Sequence, residues 1–347
     1  MSDPESVRAS GPAKQINLAL QGGGAHGAYT WGVLDRLLEE PRIEIDAISG
    51  TSAGAMNAVI LAAGLSDAGP AGARTRLDRF WRNVADLDRL SPIQRSVWDW
   101  IGGGYRLDNS PGLAFVESLT RTFSPYQVNP LNFNPLRGVI GDLVDFDLVR
   151  HASRVKLFIS ATNVCTGRAR VFENRELSVA VLLASACLPQ LFQAVEIDGA
   201  HYWDGGYTGN PAIFPLIYGS DTRDVVLVQI NPLERPGVPK TARDIQDRVN
   251  EISFNASLMH EMRAIHFVTR LIHSGALDEK LYKRMLVHMI ESEEALEAFG
   301  ASSKLNADWD FLCTLKDIGR QAAGRWLDAN FEKLGTESSI DVRETFL

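Results

Sequence analysis

Ser52 stands in Gly50-Thr51-Ser52-Ala53-Gly54, a G-x-S-x-G pattern. A serine so placed can attack an acyl carbonyl, because glycines two before and two after let a strained turn hold Oγ clear of the flanking backbone. With 29 glycines in 347 residues the pattern alone is weak, and read locally it is also a serine N-cap on a small-residue helix. Its setting gives it weight, since it lies where the apolar run Ile43 to Ser49 turns into Ala53 to Leu65. A second candidate is Gln21-Gly22-Gly23-Gly24-Ala25-His26-Gly27. Glycine N–H groups at a helix start can receive the charge that develops on a carbonyl oxygen, forming an oxyanion hole beside Ser52. The same loop satisfies G-x-G-x-x-G through Gly22, Gly24 and Gly27, with Glu44 or Asp46 about 20 residues on, so a dinucleotide site is the rival. Asp46, however, precedes the apolar Ala-Ile-Ser, whereas a ribose-binding acid belongs at the strand's carboxyl end. Asp204-Gly205-Gly206 is a third candidate, a carboxylate in what reads as an exposed Asp-Gly turn after a strand.

The elements that must position these residues follow from hydrophobic period. Gln15 to Leu20 is a short apolar run that stops at the glycines, as a buried parallel strand does. Ala28 to Glu40 then places Trp31, Leu34, Leu37 and Leu38 at helical spacing before Pro41. Ile43 to Ser49 and Ala53 to Leu65 repeat the cycle, and two successive strand-loop-helix units predict a parallel α/β sheet. Further strands are expected at Lys156 to Thr162, Arg170 to Phe172, Val195 to Ile197 and Val225 to Ile230. Residues 74–146, rich in Trp, Pro and Gly, read as a cap or insertion. Within them Val97, Trp98, Trp100 and Ile101 form an apolar cluster beside Gly102-Gly103-Gly104, suited to core packing or to a lipid-facing lid. From 240 to 347 the chain is mainly helical. Ile245, Val249, Ile252, Leu258, Met262, Ile265, Val268 and Ile272 mark one long helix and Trp309 to Leu334 another, while Arg284 to Ile290 fits helix or strand equally. The expectation is a single α/β domain over 15–347 with a loose polar tail at 1–14.

Composition narrows the function classes. At 45% hydrophobic and 22% charged the chain is globular, and a net charge of -8 has the wrong sign for gripping nucleic acid or anionic lipid with the whole surface. Cys165, Cys187 and Cys313 have neither metal-ligand spacing nor an even-numbered framework, which predicts reduced thiols in the cytoplasm and no structural zinc. No run approaches a bilayer span, so membrane contact is expected to be peripheral. No metal or cofactor is called for.

Taken together, GGGAHG at 22–27, GTSAG at 50–54, ASACLPQLF at 184–192 and DGG at 204–206 resemble the patatin-like phospholipase family in motif type, order and approximate spacing over about 15–232. The resemblance implies a three-layer α/β fold with a mostly parallel central sheet and the nucleophile after the second strand. It also implies lipid acyl hydrolysis by a Ser-Asp dyad, with Ser52 as nucleophile, Asp204 as general base and Gly22, Gly23 and Gly24 as oxyanion donors. Position 26 departs from the family's common Arg or Lys, and a neutral His26 removes a fixed positive charge near the oxyanion. The α/β-hydrolase alternative would add His260, His266, His273 or His288 to Ser52 and Asp204 in the chain order Ser, Asp, His. An elbow after only the second strand counts against it, as does the absence of a loop signature around those histidines.

Overall fold

The computed structural model describes residues 13–89, 91–96, 99, 104–235 and 237–347. Val97, Trp98, Trp100 and Ile101, and the N-terminal tail up to Pro12, lie outside the described residues. β1 (Lys14–Leu20) runs into the glycine loop and α1 (Gly27–Leu37). β2 (Ile43–Gly50) runs into α2 (Ala53–Asp88). The predicted strand-loop-helix pairs are therefore present, but α2 does not stop at Leu65. Ala68 and Gly69 break its backbone, Gly69 at a φ of 66°, and Pro70 opens a second helical stretch. The expected insertion at 74 thus begins inside a helix that packs on the core through Leu77, Phe80 and Trp81. It continues as α3 (Pro111–Thr122), α4 (Pro125–Val128), α5 (Leu136–Leu143) and α6 (Phe146–His151).

β3 (Lys156–Asn163), β4 (Ala169–Glu173), β5 (Val195–Ile197), β6 (Ala200–Asp204), β7 (Asp224–Val228) and β8 (Leu286–Ile290) complete an eight-stranded sheet among the described residues. Its order is β5-β6-β3-β2-β1-β7-β8, with β4 paired to β3 off that path. β1, β2, β3, β7 and β8 are mutually parallel, β4 and β6 each run antiparallel to β3, and β5 pairs antiparallel with β6 at the sheet's end. The ambiguous segment around 286–290 is a strand because β7 gives its backbone a ladder from Asp224↔Leu286 to Val228↔Ile290. β6 was not expected. It is folded back on β5 by Asp198-Gly199, both at positive φ (50° and 77°), the backbone a two-residue hairpin of primed type requires.

Helices cover both faces, giving three layers. Period-two alternation sends Ile16, Leu18 and Leu20 to one face, where they join α1, α2, α7 (Val179–Ser185) and residues of the late helix Trp309–Asn330. Ala19, Ala47, Val225 and Leu227 point to the other, against α8 (Phe214–Gly219) and α9 (Ala242–His273) through Leu216, Leu258 and Met262. The helix Trp309–Asn330, α10, packs along α1, and Gly319 allows the approach. A Cβ there would stand 2.1 Å from the Tyr29 carbonyl oxygen. The C-terminal third is therefore mainly helical, yet it also supplies an edge strand and part of both outer layers.

Candidate active site

Ser52 is built by its neighbours' lack of side chains. Its φ of 54° is a conformation that residues with a Cβ rarely adopt, here imposed by the tight join between β2 and α2. A Cβ on Gly50 would meet the Gly54 carbonyl oxygen at 2.8 Å, and one on Gly54 would meet the Leu20 carbonyl oxygen at 2.2 Å. A Cβ on Gly22 would lie 2.7 Å from that of Ser52, so the glycine loop touches the elbow directly. Leu20↔Gly50 in the parallel β1/β2 register puts both loops at one sheet edge. The Ser52 backbone N–H donates to Ser185 Oγ at 3.0 Å, which ties the 184–192 motif to the elbow.

Asp204 reaches the same edge from an antiparallel strand. Gly50 pairs with Ile159 of β3, and two residues further along β3, Ala161 pairs with Asp204. Ser52, two residues past Gly50, is therefore level with Asp204. The Ser52 side chain is near enough to the Asp204 carboxylate to lower its pKa, and the carboxylate accepts from the Gly206 N–H at 2.7 Å. The turn is not exposed as read from sequence, because Asp204 is 2% accessible. Burial pushes its pKa up to about 7, against the opposing pull of the Gly206 N–H and the Ser52 side chain. Phe254 of α9 packs on this turn, and a Cβ at Gly206 would stand 2.2 Å from its ring.

The glycine loop is held by buried amides with no motif of their own. The Gly22 N–H donates to Asn210 Oδ1 at 2.7 Å, so of the three expected oxyanion donors this one is already engaged. The Gly22 carbonyl accepts from Asn231 Nδ2 at 2.9 Å. Gln21 Oε1 in turn accepts from the N–H groups of Ile230 and Asn231 at 2.8 and 2.9 Å. Among the described residues no hydrogen bond engages the N–H of Gly23 or Gly24. His26 is buried and pairs through Nε2 with Ser303 Oγ at 2.7 Å; burial and the nearby Lys304 push its pKa down to about 3, so it is neutral. The sequence reading held Ser185 only as part of the 184–192 motif, with no role of its own, and had no signal for Asn210, Asn231 or Lys304.

Ser52, Asp204 and Gly22 to Gly24 line one cavity of about 460 Å³ whose other walls are largely apolar, including Met56, Trp81, Leu188 and Phe192. A family model described as patatin-like phospholipase matches residues 18–217. The chain belongs to the patatin-like phospholipase family. It is accordingly a lipid ester hydrolase with the three-layer α/β fold of that family.

Among solved structures the patatin-like chain is similar to VipD from Legionella pneumophila, at 17% identity and a TM-score of 0.43 over 92% of this chain and 68% of that one. It is also similar to a chain of the ExoU–SpcU complex from Pseudomonas aeruginosa, at 16% identity and a TM-score of 0.39, covering 92% of this chain and 52% of that one. It thus spans about half the length of the latter. A search of curated protein sequences finds no match.

Neither rival site is assembled. No histidine is among the described residues lining the Ser52 cavity. His288 is buried against Asp224 at 2.9 Å and His273 lies beside Arg284. For a dinucleotide, Asp46 is bonded to Lys156 and Ser220 and Glu44 to Gln15, early in β2 and away from the glycine loop. Cys187 is buried with its thiol on the Gln193 carbonyl at 3.2 Å, and burial together with Asp204 pushes its pKa up to about 12, so it is no nucleophile.

Proposed function

We propose that this patatin-like chain cleaves carboxylic esters of fatty acyl chains through a Ser52–Asp204 dyad and an acyl-enzyme. The carrying observation is that Ser52 and a buried carboxylate whose pKa burial raises to about 7 line one cavity, with the serine near enough to pull that pKa back down, and neutrality is the range a general base works best in. As Ser52 Oγ attacks the acyl carbonyl, its proton passes to Asp204 and the carbonyl oxygen becomes an oxyanion facing the Gly23 and Gly24 N–H groups. Collapse of the tetrahedral intermediate breaks the ester bond, and Asp204 returns the proton to the departing alkoxide. A water molecule then gives a proton to Asp204 and its oxygen to the acyl carbon. Release of the fatty acid returns the proton to Ser52. Gly22, its N–H held by Asn210, serves by its size and by fixing the loop.

The apolar cavity suits an acyl chain. Phe80, Trp81, Val84 and Leu87 of the second stretch of α2 line it, so the expected insertion supplies much of its wall. At its rim Pro135 and Leu136 follow a segment that leaves Leu131 91% and Phe133 71% exposed, and Tyr126 and Asn129 of that segment bond the chain just after Phe192. Large apolar side chains beside an apolar pocket favour peripheral docking on a lipid surface. Among the described residues no helix is long and apolar enough to cross a membrane.

A fluorophosphonate probe followed by peptide mapping tests the dyad. It should label Ser52 in the wild-type protein, more slowly in Asp204→Asn and not in Ser52→Ala. Labelling elsewhere, or more than about a tenth of wild-type ester turnover in either variant, would sink the assignment.

A further inference from the structure

We propose that Lys304, acting through Asn231, orients and polarises the peptide between Gly22 and Gly23, so that the C-terminal third supplies the charge behind an oxyanion donor. The proposal rests on the reading of the glycine loop given under the proposed function. Lys304 Nζ donates to Asn231 Oδ1 at 2.7 Å, and Asn231 Nδ2 donates to the Gly22 carbonyl at 2.9 Å and to Gln21 Oε1 at 3.3 Å. An ammonium only donates, so the atom it meets must be the amide oxygen, and the NH2 group must then face Gly22. The Gly22 carbonyl and the Gly23 N–H are opposite ends of one planar trans peptide, so fixing the first fixes the second. Each link accepts on the lysine side and donates on the far side. Electron density is therefore drawn toward the ammonium at every step, and the Gly23 N–H becomes a stronger donor to an oxyanion.

The surroundings favour that sense of polarisation. Lys304 is the only lysine or arginine among the described residues lining the Ser52 cavity. Burial pushes the Lys304 pKa down, opposed by the acidic neighbours Glu251 and Asp247, and Glu251 is shared with Arg235 at 2.7 Å and Arg248 at 3.4 Å, so it does not pair directly with the lysine. The turn that carries Lys304 is packed on the loop itself. A Cβ at Gly24 would stand 2.4 Å from the Lys304 carbonyl oxygen, and the preceding Ser303 holds His26. Lys304 and Asn231 are positioning residues: neither touches the reacting atoms, and both act through Gly22.

The full-length Lys304→Met, Lys304→Ala and Asn231→Asp proteins should be compared with wild type and Ser52→Ala on p-nitrophenyl butyrate, with thermal midpoints recorded for each. Asn231→Asp keeps the shape and pairs with Lys304, but it turns the donor toward Gly22 into a repelling acceptor. The relay predicts a fall in kcat of about tenfold to a hundredfold in Lys304→Met and Asn231→Asp, with KM within about threefold of wild type. Ethylammonium should restore part of the kcat of Lys304→Ala and none of that of Asn231→Asp, a pattern that loss of packing would not produce. If Lys304→Met fails to fold, Asn231→Asp decides alone. A folded Asn231→Asp protein with kcat within about threefold of wild type, or with only KM altered, overturns the relay. In that outcome inactivity of Ser52→Ala leaves the dyad standing, whereas activity in Ser52→Ala overturns both.

Discussion

Asp204 shows what burial does to an ordinary carboxyl. In the proposed dyad this group, with a pKa of about 7 in the folded chain, must be ionised to take the Ser52 proton. Hydrolysis should therefore fall as pH drops through about 7, giving an acidic limb of kcat/KM near that value, and a limb near 4 would remove Asp204 from the role. The same shift acts on stability with the opposite preference. Between about 4 and 7 the folded protein holds a proton there that the unfolded chain releases, so this group's contribution is greatest at low pH and is lost as pH rises through about 7. Its size is at most about 4 kcal/mol. Glu261, which accepts from the N–H groups of Ile213 and Phe214 and is also raised to about 7 by burial, adds to the same trend. Asp204→Asn should be inactive yet melt higher than wild type at pH 8, with the gap closing toward pH 5; equal midpoints across that range would contradict the burial argument. Ser52 was legible because its constraint is local, a serine between two glycines at a strand end. Asp204 was legible only through the combination of motifs. Asn210, Asn231 and Lys304 were not, because a buried side-chain network follows no sequence period.

At the scale of elements, periodicity recovered β1, β2, β3 and β7, since each is apolar and ends in a turn, but not their order in the sheet. β5 was expected at Val195 to Ile197, but its partner β6 was missed although Asp198-Gly199 carries a strong local hairpin signal, because β6 holds His201 and Asp204 and has little apolar alternation. β8 was undecidable from five residues until β7 supplied its partner. The join of β2 and α2 depends on contact between main chains. Gly54→Ala would drive a methyl group into the Leu20 carbonyl and should cost about 2 kcal/mol or more in a denaturant titration, with labelling of Ser52 also impaired. The rim segment makes a different prediction. Leu131→Ser with Phe133→Ser, both exposed, should leave the thermal midpoint and p-nitrophenyl butyrate turnover unchanged while weakening sedimentation with phosphatidylcholine vesicles and hydrolysis of those vesicles by about tenfold. Unaltered vesicle binding would remove this segment as the docking surface.

Over the whole molecule, the family match ends at residue 217, yet the fold does not. β8 extends the sheet, α9 covers one face through Leu258 and Met262, and α10 lies on α1 of the other. Composition placed the chain among globular proteins, and no motif in the last third announced that it completes the site, since its contributions are packing and one lysine. Synthesis runs from Met1 toward Leu347, so Ser52, Asp204 and the glycine loop all leave the ribosome before Lys304, β8 or α10. A nascent chain halted near residue 280 carries every motif of a lipid hydrolase but lacks the strand and helix that close its core. Ribosomes stalled there should bear chains that resist fluorophosphonate labelling, while chains stalled with Leu347 clear of the exit tunnel should react. Equal labelling at both lengths would show that the core closes without the last third. Labelling confined to the longer chains would mean that ester cleavage waits for a strand and a helix made after Ser52 and Asp204.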